Sequence, residues 1–573
     1  MRRSTHLLLP LPFLLFQLLV SSSLGIGPQK AFAQAGGTLA ESTVPFDVGV
    51  ILDTRSWIGN ISWTCMSLAV EDFYAARPNY TTRLRIHLRD TDEDAFSAAS
   101  AAIDLLKNVQ VQAIIGPQTS TQAKFVIELG DKTQVPIISF SAKSPSLSSQ
   151  NSYFIHTAWS DSSQAKVIAS IVQAFKWREV VPIFEDSDYG SGIVPYLVDA
   201  FQEIGARVPY RSKIPVSATK NKILNELYKL KNKQTRVFVV HMTYSLGLQL
   251  FSSANKAGMM KEGYVWITTY GLTDLVDLNG SSAISVMKGV LGVKPYIRET
   301  NKLRDFKVRW RKKYYQEDPN AEVREPTTFG LWAYDTVWSL AAAAEGLKST
   351  NYTSQEFDVY NSSTDLATLG LSLTGPNLRS QIINSYFDGM SGKFHFIDGQ
   401  LESGAFEIIN VVRHGKRRVG FWTPAYNLSR HMDMKADLKF IIWPGDTKTV
   451  PKGWEWPTSG KKLRIGVPVK PGFPQFVKVE KDNKNNSRIG KAYCTDVFDA
   501  VMAALPYHVP YEYVPYEDAK GESNGTYDDL VYQVYLKNLD AVVGDVTIIA
   551  NRSLYVDFTL PYTESGVSML GTY

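Results

Sequence analysis

An arginine near the carboxyl end of the chain carries the clearest sign of ligand chemistry. The planar guanidinium of Arg552 can hold a carboxylate through two parallel hydrogen bonds. It follows a segment that is typical of a buried strand, and Asp545 and Thr547 lie between the two. Taken one at a time, Arg552 would be a solvated surface residue, Asp545 a turn residue and Thr547 a helix cap. Their succession after one strand makes them the first candidate site.

The residue patterns of common enzymes are missing from the sequence. Its 8 histidines form no His-Glu-x-x-His motif, and there is no Gly-x-Ser-x-Gly elbow and no Walker loop. Cys65 lies on the apolar stripe of a predicted helix, and Cys494 opens another helix in a different predicted domain. Both are expected to be buried free thiols. We therefore expect no enzyme, no metal site and no cofactor.

Composition is that of an ordinary globular protein. The 573 residues are 44% hydrophobic and 20% charged, which suggests two to four domains on a scale of ~150 residues each. The net charge of +5 comes from 61 basic and 56 acidic residues without a basic patch. A nucleic-acid partner is therefore not expected.

The amino terminus has the plan of a secretory signal peptide, predicted over residues 1–35. Two arginines precede an apolar run over residues 7–20, and small residues follow. The alternative is a membrane anchor, but the run is short and is interrupted by Pro10, Pro12 and Gln17. No later stretch reaches ~18 consecutive apolar residues. The remainder of the chain is expected to lie outside the cytosol.

Asn-x-Ser/Thr sequons agree with this location. Their spread over the chain after the signal predicts a glycosylated surface. They begin at Asn60, Asn79, Asn279, Asn351, Asn361, Asn427, Asn485, Asn524 and Asn551.

An alternation of short apolar runs and amphipathic stretches predicts an α/β fold. Residues 46–52 and 84–88 have the pattern of buried strands, and residues 61–76 have helical spacing. Such alternation implies a parallel sheet with helices on both faces. The pattern restarts near residue 180, which predicts two lobes with a cleft at the carboxyl ends of the strands. A polar region over residues 349–377 is predicted to be a loop or an insertion.

Composition changes again over residues 431–460, where tryptophan, proline and glycine cluster. We interpret this segment as a linker between a domain at residues 45–430 and a second unit at residues 461–573. The second unit opens with a predicted strand at residues 463–468. It is small for its apolar content.

Several segments resemble the plant glutamate-receptor-like channels. They comprise LRIGVP at residues 463–468, AYCTDVF at residues 492–498 and the long run at residues 540–569. Upstream, FDGMSGKF at residues 387–394 and IIWPGD at residues 441–446 resemble the end of that family's amino-terminal domain. The resemblance covers nearly all of the chain after the signal.

The resemblance implies a fold of two successive clamshells. The first is a two-lobed periplasmic-binding-protein-like clamshell of type I, and the second unit is the first part of a type II binding clamshell. The implied function is the extracellular portion of a ligand-gated cation channel subunit that senses an amino acid such as glutamate, with other subunits of the family as partners. The family pattern is followed to Met569, before the pore, so this chain is not expected to conduct. The alternative is a soluble secreted protein that binds a small ligand or modulates other subunits.

The same resemblance assigns roles to the residues of the candidate site. Asp545 and Thr547 would face the α-ammonium of the amino acid, and Arg552 its carboxylate. Because the cleft wall is incomplete in this chain, the contact at Arg552 is expected to be exposed and binding weak.

The amino-terminal clamshell also resembles bacterial branched-chain amino-acid-binding proteins. By that resemblance Ser120 and Ser141 would line the cleft from one lobe and Tyr189 from the other. The bacterial pattern has threonine where this chain has Lys143. A lysine opposes the amine of an amino acid, so a second ligand site and an unliganded domain both stay open.

Overall fold

The structure is a computed structural model with side chains. The predicted signal peptide lies outside the residues it describes. Those residues are 43–147, 153–276, 280–321, 323–347, 354–355, 369–397, 399–455, 462–470, 474–481, 487–505 and 509–563.

The amino-terminal domain alternates strands and helices, as the sequence predicts. Its strands are β1 (Val44–Leu52), β2 (Thr82–Asp90), β3 (Ala113–Ile115), β4 (Ile137–Ser139), β5 (Phe154–His156), β6 (Val181–Asp186), β7 (Ser212–Pro215), β8 (Val237–His241), β9 (Val265–Thr268), β10 (Leu291–Pro295), β11 (Ser354–Gln355), β12 (Leu371–Ser372), β13 (Tyr386–Asp388), β14 (Lys393–Ile397), β15 (Gln400–Leu401), β16 (Phe406–Val412), β17 (Gly415–Thr423) and β18 (Asn427–Ser429). Its α-helices are α1 (Trp57–Ala76), α2 (Ala95–Asp104), α3 (Ser120–Thr133), α4 (Ser163–Ala174), α5 (Asp188–Gly192), α6 (Val194–Glu203), α7 (Lys220–Lys231), α8 (Tyr244–Lys256), α9 (Tyr270–Thr273), α10 (Gly280–Val286), α11 (Asn301–Glu317), α12 (Thr328–Gly346) and α13 (Gly375–Ile383).

Two eight-stranded sheets define two lobes. The first has the order β13-β14-β15-β5-β4-β3-β1-β2, and the second has the order β18-β17-β16-β10-β9-β8-β6-β7. Strands β1 to β5 pair in parallel, as do β6 to β10, whereas the late strands at the other edge of each sheet pair mostly antiparallel. The chain passes between the lobes after β5, after β10 and after β15. The predicted α/β type I clamshell is confirmed.

Burial explains why the central elements form. Strands β8 and β9 are buried at every residue, as expected for a parallel sheet that is covered on both faces. Helix α12 is apolar around most of its circumference and buried along most of its length, so it is a core helix. It packs closely on α1, where a Cβ at Gly330 would come within 2.8 Å of the Cys65 sulfur.

Residues 349–377, predicted to be a loop or an insertion, are not a loop at their carboxyl end. Helix α13 begins at Gly375, and β12 pairs with β11 just before it. Pro376 lies in the first turn of α13, where a proline costs no helical hydrogen bond.

The predicted linker packs against the second lobe through residue 455. Trp443 is 1% exposed and meets Phe175 and Trp177 edge-on. The indole of Trp177 donates to the carbonyl of Pro451 at 2.8 Å, and the backbone N–H of Arg236 donates to the carbonyl of Gly453 at 2.9 Å. This part of the linker therefore belongs structurally to the amino-terminal domain.

The second unit is a small α/β body. Its strands are β19 (Leu463–Pro468), β20 (Lys478–Lys481), β21 (Ser487–Gly490), β22 (Tyr511–Tyr516) and β23 (Ala541–Val542), and its helices are α14 (Tyr493–Ala504), α15 (Tyr527–Tyr535) and α16 (Ala550–Ser553). Strand β19 is the centre of a parallel sheet in the order β22-β19-β23. In the part of the chain that the structure covers, no helix is both long and apolar enough to cross a membrane.

Candidate ligand-binding sites

Arg552 lies at the end of α16 in a protected position. The residue is only 8% exposed, although it is charged. Its Nε donates to Oδ1 of Asp528 on α15 at 2.6 Å, and its Nη1 donates to the carbonyl of Thr547 at 2.8 Å. A carboxylate therefore already contacts the guanidinium, and it comes from the chain itself.

Asp545 follows β23 and faces the same helix. It accepts a hydrogen bond from the hydroxyl of Tyr527 on α15 at 2.6 Å. It also forms an ion pair with Lys470 at 3.2 Å. Burial and the hydrogen bond to Asp545 raise the pKa of Tyr527, while the charge of Arg552 acts in the opposite direction. Tyr527 thus lies within the fields of both Asp545 and Arg552.

Thr547 takes part through its backbone. The residue is exposed, and only its carbonyl reaches Arg552. Helix α16 begins after Ile549, so the helix-cap interpretation of Thr547 is not supported. The three predicted residues therefore lie in one neighbourhood, and Thr547 contributes to it through main-chain atoms.

The neighbourhood presents charges of both signs. Arg552 and Lys470 are cations, Asp545 and Asp528 are anions, and their side chains range from 10% to 55% exposed. Such a set complements a zwitterion, which carries a carboxylate and an ammonium a few ångströms apart. Tyr562 anchors the following segment nearby, since its hydroxyl donates to the carbonyl of Gly544, next to Asp545, at 3.0 Å.

The predicted residues of the amino-terminal cleft are engaged within the protein. Ser120 is 2% exposed, and its hydroxyl accepts the N–H of Ser144 at 3.3 Å. Ser141 is 7% exposed and donates to the carbonyl of Gln118 at 2.8 Å. Both serines hold the loop after β4 in place.

Tyr189 enters the cleft from the second lobe and meets Lys143. Its hydroxyl lies 3.4 Å from Nζ of Lys143, and its ring packs on His241 with a centroid distance of 4.3 Å. Nζ of Lys143 is 2.9 Å from Oδ1 of Asp161 and 3.6 Å from the ring centroid of Tyr270. Lys143 and Asp161 are 2% and 0% exposed, so the cleft contains a fully buried ion pair.

Burial dominates the electrostatics of this cleft. Desolvation raises the pKa of Asp161 to about 6 and lowers the pKa of Lys143, and each charge partly offsets the shift of the other. Burial, helped by the charge of Lys143, lowers the pKa of His241 to about 3. His241 is therefore neutral at physiological pH.

Sequence reasoning missed the partners of the predicted residues. Asp528 and Tyr527 are separated from Arg552 by 24 and 25 positions, and Asp161 and Tyr270 follow strand ends far from Lys143. In the structure Tyr527 and Asp528 begin α15, Tyr270 begins α9, and Asp161 lies between β5 and α4. Only the folded chain shows which of these ends meet.

The described sequons differ in accessibility. Asn79, Asn427, Asn524 and Asn551 are exposed. Asn60 is half-buried inside α1, and its amide nitrogen lies 3.4 Å from the hydroxyl of Tyr314. The others lie outside the described residues: Asn279, Asn351, Asn361 and Asn485.

Among the described residues, neither the two cysteines nor the surface depression next to α7 provides a further candidate ligand site. Cys65 and Cys494 are free and buried, as predicted. A depression of about 330 Å³ lies between β7 and α7 and contains none of the predicted site residues. Within the described ranges, no group of three or more His, Cys, Asp and Glu residues is arranged to hold a metal ion.

Comparisons with known families agree with the two-part fold. The family model "Receptor family ligand binding region" matches residues 63–414. The model "Ligated ion channel L-glutamate- and glycine-binding site" matches residues 463–573 and includes the neighbourhood of Arg552. The fold and the matches define a class of receptor with two ligand-binding regions in tandem, rather than an enzyme.

Relatives in Arabidopsis thaliana are similar along most of the chain. Glutamate receptor 2.2 is 45% identical over 536 residues, covering 91% of this chain and 58% of that protein. Glutamate receptor 2.7 is 46% identical over 552 residues, covering 94% and 57%. The chain thus spans somewhat more than half the length of these relatives. It belongs to the plant glutamate-receptor-like family.

A solved structure supports the fold of the amino-terminal domain. A leucine-binding protein from Thermotoga maritima aligns with a TM-score of 0.52 at 16% identity, covering 66% of this chain and 99% of that protein. At this identity the likeness concerns the fold alone.

Proposed function

We propose that this chain is the extracellular ligand-sensing part of a ligand-gated cation channel subunit. In this proposal the second unit, residues 461–573, binds the backbone groups of an amino acid such as glutamate. The amino-terminal domain, residues 45–430 with the packed linker, associates with other subunits of the family. The signal at residues 1–35 directs the chain into the secretory pathway.

The main support for this proposal is that the charged side chain of Arg552 is largely buried. A guanidinium that is 8% exposed needs a carboxylate partner, because burying an unpaired charge is costly. Its present partner, Asp528, has a side chain that is 55% exposed and is therefore easily replaced by a solute. The carboxylate of an amino acid can take the Nε–H donor that Asp528 now occupies.

Asp545 and the carbonyl of Thr547 are the proposed acceptors for the α-ammonium group of the ligand. An α-ammonium has three N–H donors and needs acceptors close to the carboxylate site. The carbonyl of Thr547 lies 2.8 Å from Nη1 of Arg552, and Asp545 contacts Tyr527 next to it. The arrangement therefore favours a ligand with a carboxylate and an ammonium on adjacent atoms.

Ligand-observed NMR with L-glutamate and glycine tests the site, since the method detects weak binding. We expect Arg552→Gln to lower the affinity by up to about fivefold, because a charge-assisted contact in an exposed site contributes ~0–1 kcal/mol. Arg464→Gln is the matched control, because Arg464 also pairs with an aspartate, Asp540 at 3.2 Å, but lies away from the site on β19. Equal binding by Arg552→Gln and the unsubstituted chain would remove Arg552 from the site.

The proposed location has its own test. Expression in a secretory host, followed by amino-terminal sequencing and glycosidase treatment, should give a chain that starts near residue 35 and loses mass on deglycosylation. Among the described sequons, Asn79, Asn427, Asn524 and Asn551 are the ones that we expect to carry glycans, because all four are exposed. An intact amino terminus without a mass shift would contradict this part of the proposal.

A further inference from the structure

We propose that the amino-terminal cleft is a binding site for a primary alkylammonium group, and that its occupant in this chain is the side chain of Lys143. The site consists of Asp161, Tyr189, Tyr270 and Phe329, which we call the ammonium cage. This inference does not depend on the proposed function of the Arg552 site.

The cage matches the three N–H donors of a primary ammonium. One points at Oδ1 of Asp161 at 2.9 Å, and a second reaches the hydroxyl of Tyr189 at 3.4 Å. The ring of Tyr270 lies 3.6 Å from Nζ and the ring of Phe329 lies 5.6 Å from it, both within the range of cation–π attraction. A carboxylate with aromatic faces around it is a general way to bind an organic ammonium.

The cage draws its walls from different parts of the clamshell. Lys143 and Phe329 belong to the first lobe, Tyr189 and Tyr270 belong to the second, and Asp161 lies on the passage between β5 and α4. Lys143 therefore bridges the two lobes in the way that a bound ligand would. A tethered group of this kind has no translational entropy to lose on binding.

The surrounding structure fits an internal occupant closely. A Cβ at Gly271 would come within 2.6 Å of the Tyr189 hydroxyl and 3.3 Å of Nζ of Lys143. The hydroxyl of Ser144 donates to the carbonyl of Asp188 at 2.9 Å and joins the lobes beside the cage. Nζ of Lys143 therefore fills the position that the ammonium group of an external ligand would take.

Hydrogen bonds hold the carboxylate of Asp161 in position to pair with the ammonium group of Lys143. Its Oδ1 also accepts from the amide of Gln164 at 2.8 Å, and that amide's oxygen accepts the N–H of Tyr270 at 2.7 Å. Its Oδ2 has no hydrogen-bond partner among the described residues. A buried carboxylate arranged in this way depends on its cation.

Replacement of the lysine side chain by a free amine tests the proposal. Lys143→Ala removes three methylene groups and the ammonium, which together correspond to n-propylammonium. We expect the thermal midpoint of the amino-terminal domain in the full chain to fall by roughly 5–10 °C. Addition of about 50 mM n-propylammonium should restore several degrees in Lys143→Ala and leave the unsubstituted chain unchanged.

Matched controls distinguish rescue by the ammonium charge from rescue by filling the vacated space. The isostere n-propanol should not rescue Lys143→Ala, and Lys143→Met, which fills the space without charge, should not respond to n-propylammonium. Equal rescue by n-propanol, or equal stabilisation of the unsubstituted chain by the amine, would overturn the proposal. If Lys143→Ala does not accumulate, its refolding yield is measured with and without n-propylammonium, and a yield that the amine does not raise would also overturn it.

Discussion

At the scale of single residues, both clefts contain a charge that is neutralised by the chain itself. The protected Arg552 is paired with the exposed Asp528 in the second unit, and Lys143 is paired with Asp161 in the interior of the first. The two pairs differ in exposure. Asp528 is 55% exposed and Asp161 is 0% exposed. An external ligand can therefore displace the first partner far more easily than the second.

Removal of the competing carboxylate should strengthen binding at Arg552. Asp528→Asn leaves a neutral amide beside the guanidinium, and an exposed ion pair contributes ~0–1 kcal/mol. We therefore expect the affinity for L-glutamate to rise by up to about fivefold in ligand-observed NMR. Asp529→Asn, one position along α15, is the control. A fall in affinity on Asp528→Asn would mean that Asp528 positions Arg552 rather than competes for it.

A buried histidine should make stability sensitive to mild acid. His156 is 3% exposed, and burial lowers its pKa to about 4. Below its unfolded pKa of about 6.5 the unfolded chain takes up a proton that the folded chain does not, so stability falls as the pH falls from about 6.5 to about 4. In the comparison with His156→Leu, groups shared by both proteins cancel.

We expect His156→Leu to become more stable relative to the unsubstituted chain as the pH is lowered. Relative to the unsubstituted chain, His156→Leu should gain about 2 kcal/mol in the free energy of unfolding between pH 7.5 and pH 5. Urea unfolding at the two pH values measures this difference. A difference that does not change with pH would show that His156 is not buried in its neutral form.

At the scale of elements, the segment that contains Trp443 packs as part of the second lobe. Trp443 fills a fully buried position against Phe175 and Trp177. Trp443→Ala should reduce the free energy of unfolding by ~3–5 kcal/mol, because it removes a large aromatic ring from a packed core. Trp454→Ala is the control in the same segment, since its side chain is 43% exposed. Equal effects of the two substitutions on urea unfolding would contradict this interpretation.

Periodicity predicted the elements well and their partners poorly. Strand β19 coincides with the predicted residues 463–468, and α1 extends the predicted helix by four residues at its start. Apolar spacing is a local property, so it can be read along the chain. The pairing of Lys143 with Asp161, or of Arg552 with Asp528, depends on strand order and lobe closure, which spacing does not encode. The resemblance to the family gave roles to Arg552 and Thr547, but it did not indicate the contact between Arg552 and Asp528.

At the scale of the whole molecule, the two units have separate cores. The hydrophobic clusters of the amino-terminal domain contain residues up to Trp443, and the cluster of the second unit is built around Val467, Val477 and Cys494. A chain that ends at residue 455 should therefore keep the thermal midpoint of the amino-terminal domain. A chain that ends at residue 430 should melt at a lower temperature, because it lacks Trp443. Equal midpoints for the two shortened chains would argue against a packed linker.

We propose that an external amino acid binds at Arg552, whereas the side chain of Lys143 occupies the amino-terminal cleft. Crystals of the chain grown with saturating L-glutamate test both halves at once. We predict electron density for a carboxylate on the guanidinium of Arg552 in place of Asp528, with Lys143 still on Asp161. Glutamate in the amino-terminal cleft with Lys143 displaced, or Arg552 still paired with Asp528 at saturation, would contradict these two proposals.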